Sequence, residues 1–200
     1  MKIKTILSRL ALILILAQVV LVLVSWLLNV SMPDLPMRSL LSNEGIRWFF
    51  GHFADNMLTP FLLWILLLSM AYGAVTQSGI HTVFPLSHLN YRQRLGLHFS
   101  IVFFIVVLVV VLLLTCMPQA ILLSSSGALF PSSFSAAIIP LIAFVIICCS
   151  IIFGLVSGRF PNFQCAFSSL GVGVIKLAPF LPVYLLAAQL IASIRFVMMI

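Results

Sequence analysis

The residues that could carry out chemistry are few in this sequence, and they do not form a catalytic set. The histidines and acids are His52, His81, His88, His98, Asp34, Glu44 and Asp55. His52 and Asp55 are three residues apart, but no nucleophile or metal partner accompanies them. No Ser/His/Asp, Cys/His or His-Glu-x-x-His arrangement can be assembled. We therefore predict that the chain is not an enzyme.

A metal or cofactor site is not indicated either. Three of the histidines lie in or beside the segment 80–97 with Arg92 and Arg94, which could suggest a metal or a pH sensor. No nearby carboxylate or cysteine completes a ligand set, so a solvated basic loop is the favoured interpretation. The cysteines show no CxxC spacing and are interpreted as small apolar fillers; they are Cys116, Cys148, Cys149 and Cys165. We predict no metal and no cofactor.

The composition is that of an integral membrane protein. Of the 200 residues 64% are hydrophobic and only 6% are charged, which few soluble domains could tolerate. The net charge of +7 comes from basic residues at the ends of apolar runs. That pattern is typical of membrane orientation, and it argues against nucleic-acid binding. The lipid bilayer is therefore the first partner that the sequence predicts.

Apolar runs long enough to cross the hydrocarbon core as helices recur five times. They predict an all-α, polytopic membrane helix bundle in one domain, 1–200, with spans at approximately 10–30, 58–79, 99–117, 134–158 and 175–195. The first run has no small-residue cleavage pattern after it, so it is predicted to be an uncleaved helix rather than a signal peptide. Pro179 and Pro182 leave open a re-entrant form of the fifth run, and 160–173 is predicted to be a connector.

A short amphipathic helix is predicted at approximately 43–57. Ile46, Phe49, Phe50 and Phe53 recur at helical spacing, and Ser42 or Asn43 can cap the N-terminus. This helix is predicted to lie in the membrane interface; the alternative is a loop helix packed on its own protein.

Small residues near the ends of the predicted spans suggest close helix packing. Gly73, Gly154 and Gly158 are the candidate helix-packing positions. The basic residues count seven to three in favour of a cytoplasmic N-terminus.

Polar residues inside the runs are the candidates for a transport site, because a coupled transporter usually needs polar groups near the bilayer midplane. They are Ser69, Thr76, Gln77, Thr115, Ser150, Tyr184 and Gln189. Serine and threonine commonly bond their own helix backbone. Gln77 and Gln189 are the stronger candidates because an amide in lipid needs a partner, although both could lie near an interface.

Several segments resemble the p-aminobenzoyl-glutamate (AbgT) transporter family, and together they cover roughly two thirds of the chain. The segment 40–48, Leu-Leu-Ser-Asn-Glu-Gly-Ile-Arg-Trp, is the most specific of them. The others are 73–79, 127–134, 138–140, 153–158 and 187–192. The resemblance implies a homodimer in the bacterial inner membrane that moves p-aminobenzoyl-glutamate, or a related organic anion, with a coupling ion. Arg38 and Arg47 are the cations that could meet such an anion from outside.

The chain also departs from the family pattern. It passes from the second helix directly to the helix that opens the second half, without the re-entrant hairpins that the family's binding sites need. An alternative function is therefore a non-transporting membrane scaffold that dimerises or assists a partner protein.

Overall fold

The computed structural model shows a chain built of helices. It describes residues 2–32, 36–83, 90–116 and 133–199, and no strand occurs among them. The helices are α1 (Lys2–Ser31), α2 (Asn43–Gly51), α3 (Phe53–Met57), α4 (Pro60–Ser78), α5 (Tyr91–Cys116), α6 (Ser133–Val156), α7 (Phe163–Leu177) and α8 (Phe180–Met198). A 3₁₀ turn over Ile80–Val83 follows α4. The all-α membrane class is confirmed.

Five of these helices, α1, α4, α5, α6 and α8, are long and apolar enough to cross a bilayer. Each has at least 19 residues in its apolar stretch, or about 28 Å at 1.5 Å per residue. Helix α7 is apolar but has only 15 residues, so it reaches about 22 Å, less than the roughly 30 Å of hydrocarbon. The chain is a multi-pass membrane protein.

Two helices begin earlier than their apolar runs. Helix α1 starts at Lys2 and α5 at Tyr91, where the runs suggest starts at 10 and 99. Hydropathy marks the lipid-facing part of a helix, whereas lysine, arginine and glutamine extend it into water because they are good helix formers. The turn region 117–132, which includes most of the family-like segment 127–134, lies outside the described residues.

Residues 163–177 form helix α7, so the prediction of a connector over 160–173 is wrong. Serines and glycines in this stretch lower its helix propensity, but packing against α4 outweighs that preference. The predicted fifth span, 175–195, consequently begins inside α7, and its own helix starts at Phe180. Pro182 falls in the first turn of α8, where its missing N–H leaves no helical bond unmade.

The predicted amphipathic helix is present as two pieces, α2 and α3, which meet at His52 (φ −106°, ψ 11°). Ser42 caps α2, and its Oγ accepts a bond from the Gly45 amide at 3.0 Å. Phe50 is 77% exposed. At this residue the aromatic face of α2 is therefore not buried by the rest of the unit. Whether this face meets the membrane interface stays a prediction.

The chain divides into two compact units, Met1–Leu62 with Leu177–Ile200, and Leu63–Lys176. In the first unit α1 packs along α8. Its buried core consists of Leu40, Phe196 and Val197, with Leu21, Val22 and Trp48 packed against them. The segment after α1 is tied to the end of α8, because the Arg38 amide donates to the carbonyl of Val197 at 3.1 Å.

In the second unit α5 and α6 form an antiparallel pair. Ser100 Oγ donates to the carbonyl of Cys149 at 2.9 Å, and Phe153 packs over Gly96. Gly154 lies under the ring of Phe160, in the turn that follows α6. Gly158 has a φ of +81° and forms that turn. Gly154 lies at the end of α6 and Gly158 just beyond it, and their part in packing between helices stays a prediction.

Helices α4 and α7 cross at two glycines in the same unit. A Cβ on Gly73 would lie 2.4 Å from the carbonyl oxygen of Ser169, and a Cβ on Gly173 would lie 1.9 Å from that of Ser69. The helix backbones therefore touch directly, which only small residues permit. Each glycine follows a serine by four positions, so the two helices present the same short motif to each other in opposite directions.

This crossing predicts a sharp contrast between two neighbouring glycines of α7. Gly173→Ala should lower stability by about 1–3 kcal/mol, because the added methyl group overlaps the backbone of α4. Gly171→Ala should be neutral or stabilising by about 0.5–1 kcal/mol, because nothing lies within 4 Å of its Cβ and alanine favours the helix. Denaturant unfolding in detergent, followed by circular dichroism, measures both. Equal effects of the two substitutions would contradict direct contact of the backbones.

Candidate functional site

A cavity of about 860 Å³ lies in the first unit, alongside α8. Helices α2, α3 and α8, the segment before α2 and the first turn of α4 contribute its walls. The lining residues are Arg38, Trp48, Asp55, Asn56, Thr59, Pro60, Phe61, Tyr184, Ala187, Ala188, Ile191, Ala192, Arg195, Phe196 and Met199. This volume falls within the range of small-molecule sites in proteins.

The cavity exists because one face of α8 carries small side chains. Ala187, Ala188 and Ala192 line it, and alanine leaves space where a leucine would fill the gap. Tyr184 and Phe196 bound this stretch, about 18 Å apart along the helix at 1.5 Å per residue. Alanine also has the best helix propensity, so the hollow costs the helix nothing in local stability.

One end of the cavity combines aromatic rings with guanidinium groups. Trp48 and Phe196 stack with centroids 4.3 Å apart and planes 18° apart. The guanidinium of Arg38 lies 5.7 Å from the centre of the Phe196 ring, within the range of a cation–π contact. Arg195 lines the same cavity one residue before Phe196. This end therefore places two stacked aromatic rings beside two positive charges.

Arg38 also pairs with Glu44, whose carboxylate is 3.2 Å from a guanidinium nitrogen. Both side chains are exposed, so water and salt weaken this pair to within about 1 kcal/mol. An anion in the cavity can therefore compete with Glu44 for Arg38.

The amide of Asn56, in the middle of the cavity, is hydrogen-bonded to a buried residue of α8. Asn56 lines the cavity, and its Nδ2 donates to Oε1 of Gln189 at 3.5 Å. Gln189 is only 6% exposed, so it orients Asn56 without lining the space. Asp55, the neighbour of Asn56 on α3, is the only carboxylate among the lining residues.

Gln189 continues into a polar layer between α8 and α1. Ser193, one turn further along α8, accepts a bond from Nε2 of Gln18 at 2.9 Å. Two buried atoms of this layer, Nε2 of Gln189 and Oε1 of Gln18, have no hydrogen-bond partner within the described structure. One carries two N–H donors and the other two acceptor lone pairs, so the layer retains unused capacity for further polar contacts of both kinds.

The other end of the cavity is closed by a second polar contact. The hydroxyls of Thr59 and Tyr184 are hydrogen-bonded to each other, and Tyr184 Oη also donates to the carbonyl of Met57 at 3.4 Å. These bonds attach the junction of α3 and α4 to α8. Among the described residues no group of histidines, cysteines and acids could hold a metal ion.

Of the three site residues selected from the sequence, one lies at the cavity and the other two do not line it. Gln189 lies directly behind the cavity and bonds one of its lining residues. Arg47 is exposed on α2 and is not part of the lining, whereas Arg38, the other cation considered, is. Gln77 is exposed near the end of α4 and belongs to the second unit. The structure therefore does not assign these three residues to one site.

Other functional candidates could not be selected from the sequence. Asn56, Thr59 and Arg195 lie at helix ends, where polar residues are ordinary, so no signal distinguished them. Gln18 is different, because it is an amide in the middle of the first apolar run. The criterion that selected Gln189 applies equally to Gln18, and it could have been found in that way.

Comparison with known proteins gives one match. Residues 77–199 match the AbgT putative transporter family. No curated protein and no solved structure matches the chain. The matched range contains all of α8, and thus one wall of the cavity, while α1, α2 and α3 precede it. Because the match covers well over half of the chain, the protein belongs to the AbgT family of membrane transport proteins.

Proposed function

We propose that the chain is a reduced AbgT-type transport protein, which moves p-aminobenzoyl-glutamate or a related organic anion by ion-coupled secondary transport. The cavity beside α8 carries this proposal. It combines an aromatic surface, two guanidinium groups and an oriented amide in a space of about 860 Å³. The bacterial inner membrane, a cytoplasmic N-terminus and a homodimer are parts of the same proposal.

The proposed substrate matches the cavity in its chemistry. Its benzoyl ring would meet the edge of the stacked pair formed by Trp48 and Phe196, because edge-to-face aromatic contacts are favourable. Its carboxylates would meet Arg38 and Arg195, because guanidinium groups bind carboxylates through paired N–H donors. The amide of the substrate would meet Asn56. A coupling cation would be met by Asp55, the carboxylate of the cavity.

A second candidate function is a scaffold that does not itself transport. The direct passage from α4 to α5 favours it, because only residues 79–90 separate these helices. A stretch of that length is too short for a pair of re-entrant half-helices. A transport site of the usual kind, built on broken helices at the midplane, would then have to come from a partner protein.

Uptake of labelled p-aminobenzoyl-glutamate by purified protein in proteoliposomes tests the first proposal. We expect flux that depends on an imposed sodium or proton gradient. Arg38→Gln and Arg195→Gln should each reduce it about tenfold, since each loses a charge-assisted contact of about 1.5–3 kcal/mol. Arg9→Gln, which removes the same charge from the exposed start of α1, is the control and should leave flux within about twofold. Absence of flux from a folded protein would favour the scaffold.

Gln189→Leu separates a role in binding from a role in stability. It should raise the KM for substrate about tenfold, because Asn56 loses the group that orients it. It should leave the Tm unchanged or raise it, because an unpaired buried Nε2 costs about 1–3 kcal/mol and leucine removes that atom. The KM comes from uptake at varied substrate concentration, and the Tm from thermal unfolding in detergent.

Gln164→Leu is the matched control, because it makes the same change at an exposed amide on α7. It should alter neither quantity. If Gln189→Leu lowered the Tm and left the KM at the wild-type value, Gln189 would be a packing residue with no part in substrate binding.

A further inference from the structure

A second cavity, of about 460 Å³, lies between α5 and α6 in the other unit. Only apolar side chains line it, and they are Phe99, Val102, Phe103, Val106, Ile152 and Val156. We call this cavity the α5–α6 groove. Phe99, Val102 and Val106 are exposed or partly exposed on a helix that spans the bilayer. A groove of this kind offers an acyl chain more contact than the open helix surface does.

The groove leads to a cluster of cations. Because α5 and α6 are antiparallel, the start of α5 and the end of α6 lie at the same end of the pair. Arg92 and Arg94 belong to the first turn of α5, and Arg159 follows α6. Nη1 of Arg92 is 3.7 Å from the position that a Cβ of Gly158 would occupy. The groove residues nearest this end are Phe99 and Val156.

Two glycine turns hold the cluster together. Gly79 and Gly158 have φ values of +70° and +81°, which favour glycine. The Cζ atom of Arg159 is 2.8 Å from the position that a Cβ of Gly79 would occupy. The guanidinium therefore lies against the turn that ends α4, in space that any other residue would fill. Arg159 is fixed in this way between the ends of two spanning helices.

No acidic side chain in the unit neutralises these cations. The sequence contains neither aspartate nor glutamate between residues 63 and 176. In the part of the chain that the structure describes, the one ion pair joins Arg38 and Glu44. Arg92, Arg94 and Arg159 are all exposed. Their charges are therefore accessible to solvent or lipid headgroups at the end of the pair where α5 begins and α6 ends.

From this geometry we propose that the α5–α6 groove and the adjoining arginines bind an anionic phospholipid. One acyl chain lies in the groove, and the phosphate of the headgroup contacts Arg92 and Arg159. Basic pockets between spanning helices are suited to anionic headgroups. The occupant is a lipid rather than free phosphate, because the wholly apolar groove ends about two helical turns from Arg92, within the length of a lipid molecule. This site is separate from the cavity beside α8 and does not depend on the proposed substrate.

Native mass spectrometry of the purified chain with defined lipids tests the proposal. The wild-type protein should retain phosphatidylglycerol at least tenfold more than phosphatidylcholine of the same acyl composition. The double variant Arg92→Gln/Arg159→Gln should bring the two lipids within about twofold of each other. Val106→Trp, which fills the groove and leaves the arginines in place, should reduce retention of both lipids.

Three controls make the result decisive. Lys4→Gln/Arg9→Gln removes two charges elsewhere and should keep the preference, and Arg92→Lys/Arg159→Lys, which preserves the charge, should largely restore it. Inorganic phosphate in excess should leave the bound lipid in place, because phosphate lacks the apolar contact that an acyl chain makes in the groove. Equal retention of the two lipids by the wild type, loss of preference in the Lys4/Arg9 variant, or displacement by phosphate would overturn the proposal.

Discussion

Hydrocarbon offers no hydrogen bonds, and every polar group of this chain that enters it needs a partner from the protein. Serines meet this constraint locally: Ser69 and Ser169 donate to carbonyls in their own helices, at 2.6 Å in each case. A glutamine side chain has four hydrogen-bonding sites and cannot be satisfied in this way. Gln18 therefore bonds Ser193 on α8, and Gln189 on α8 accepts a bond from Asn56 on α3.

The two units use small residues for opposite purposes. At the crossing of α4 and α7, Gly73 and Gly173 let the backbones touch, so the space between the helices is closed. Along α8, Ala187, Ala188 and Ala192 line a space that stays open as a cavity. Small side chains thus permit either a tight helix crossing or an open cavity, depending on whether a second helix carries the matching gap.

Much of the fold could be predicted from the sequence, because hydropathy and length report directly on membrane spans. The cap at Ser42 and the need of Gln189 for a hydrogen-bond partner were also predictable, since each depends on a local rule. Helix α7 could not be predicted, because its serines and glycines are typical of a connecting loop. Only the structure shows that this stretch is helical and contacts α4. Arg47 and Gln77 were selected by residue type alone, and no sequence pattern states which side of a helix faces a cavity.

The polar bond between Gln18 and Ser193 joins residues that are 175 positions apart. During synthesis α1 leaves the ribosome long before α8, so the amide of Gln18 enters the membrane before its partner has been made. Until then it must be shielded by water, by lipid headgroups or by the insertion machinery. The cavity beside α8 consequently cannot exist in a partly inserted chain. Assembly of the first unit is a late event, coupled to the arrival of the helix that completes it.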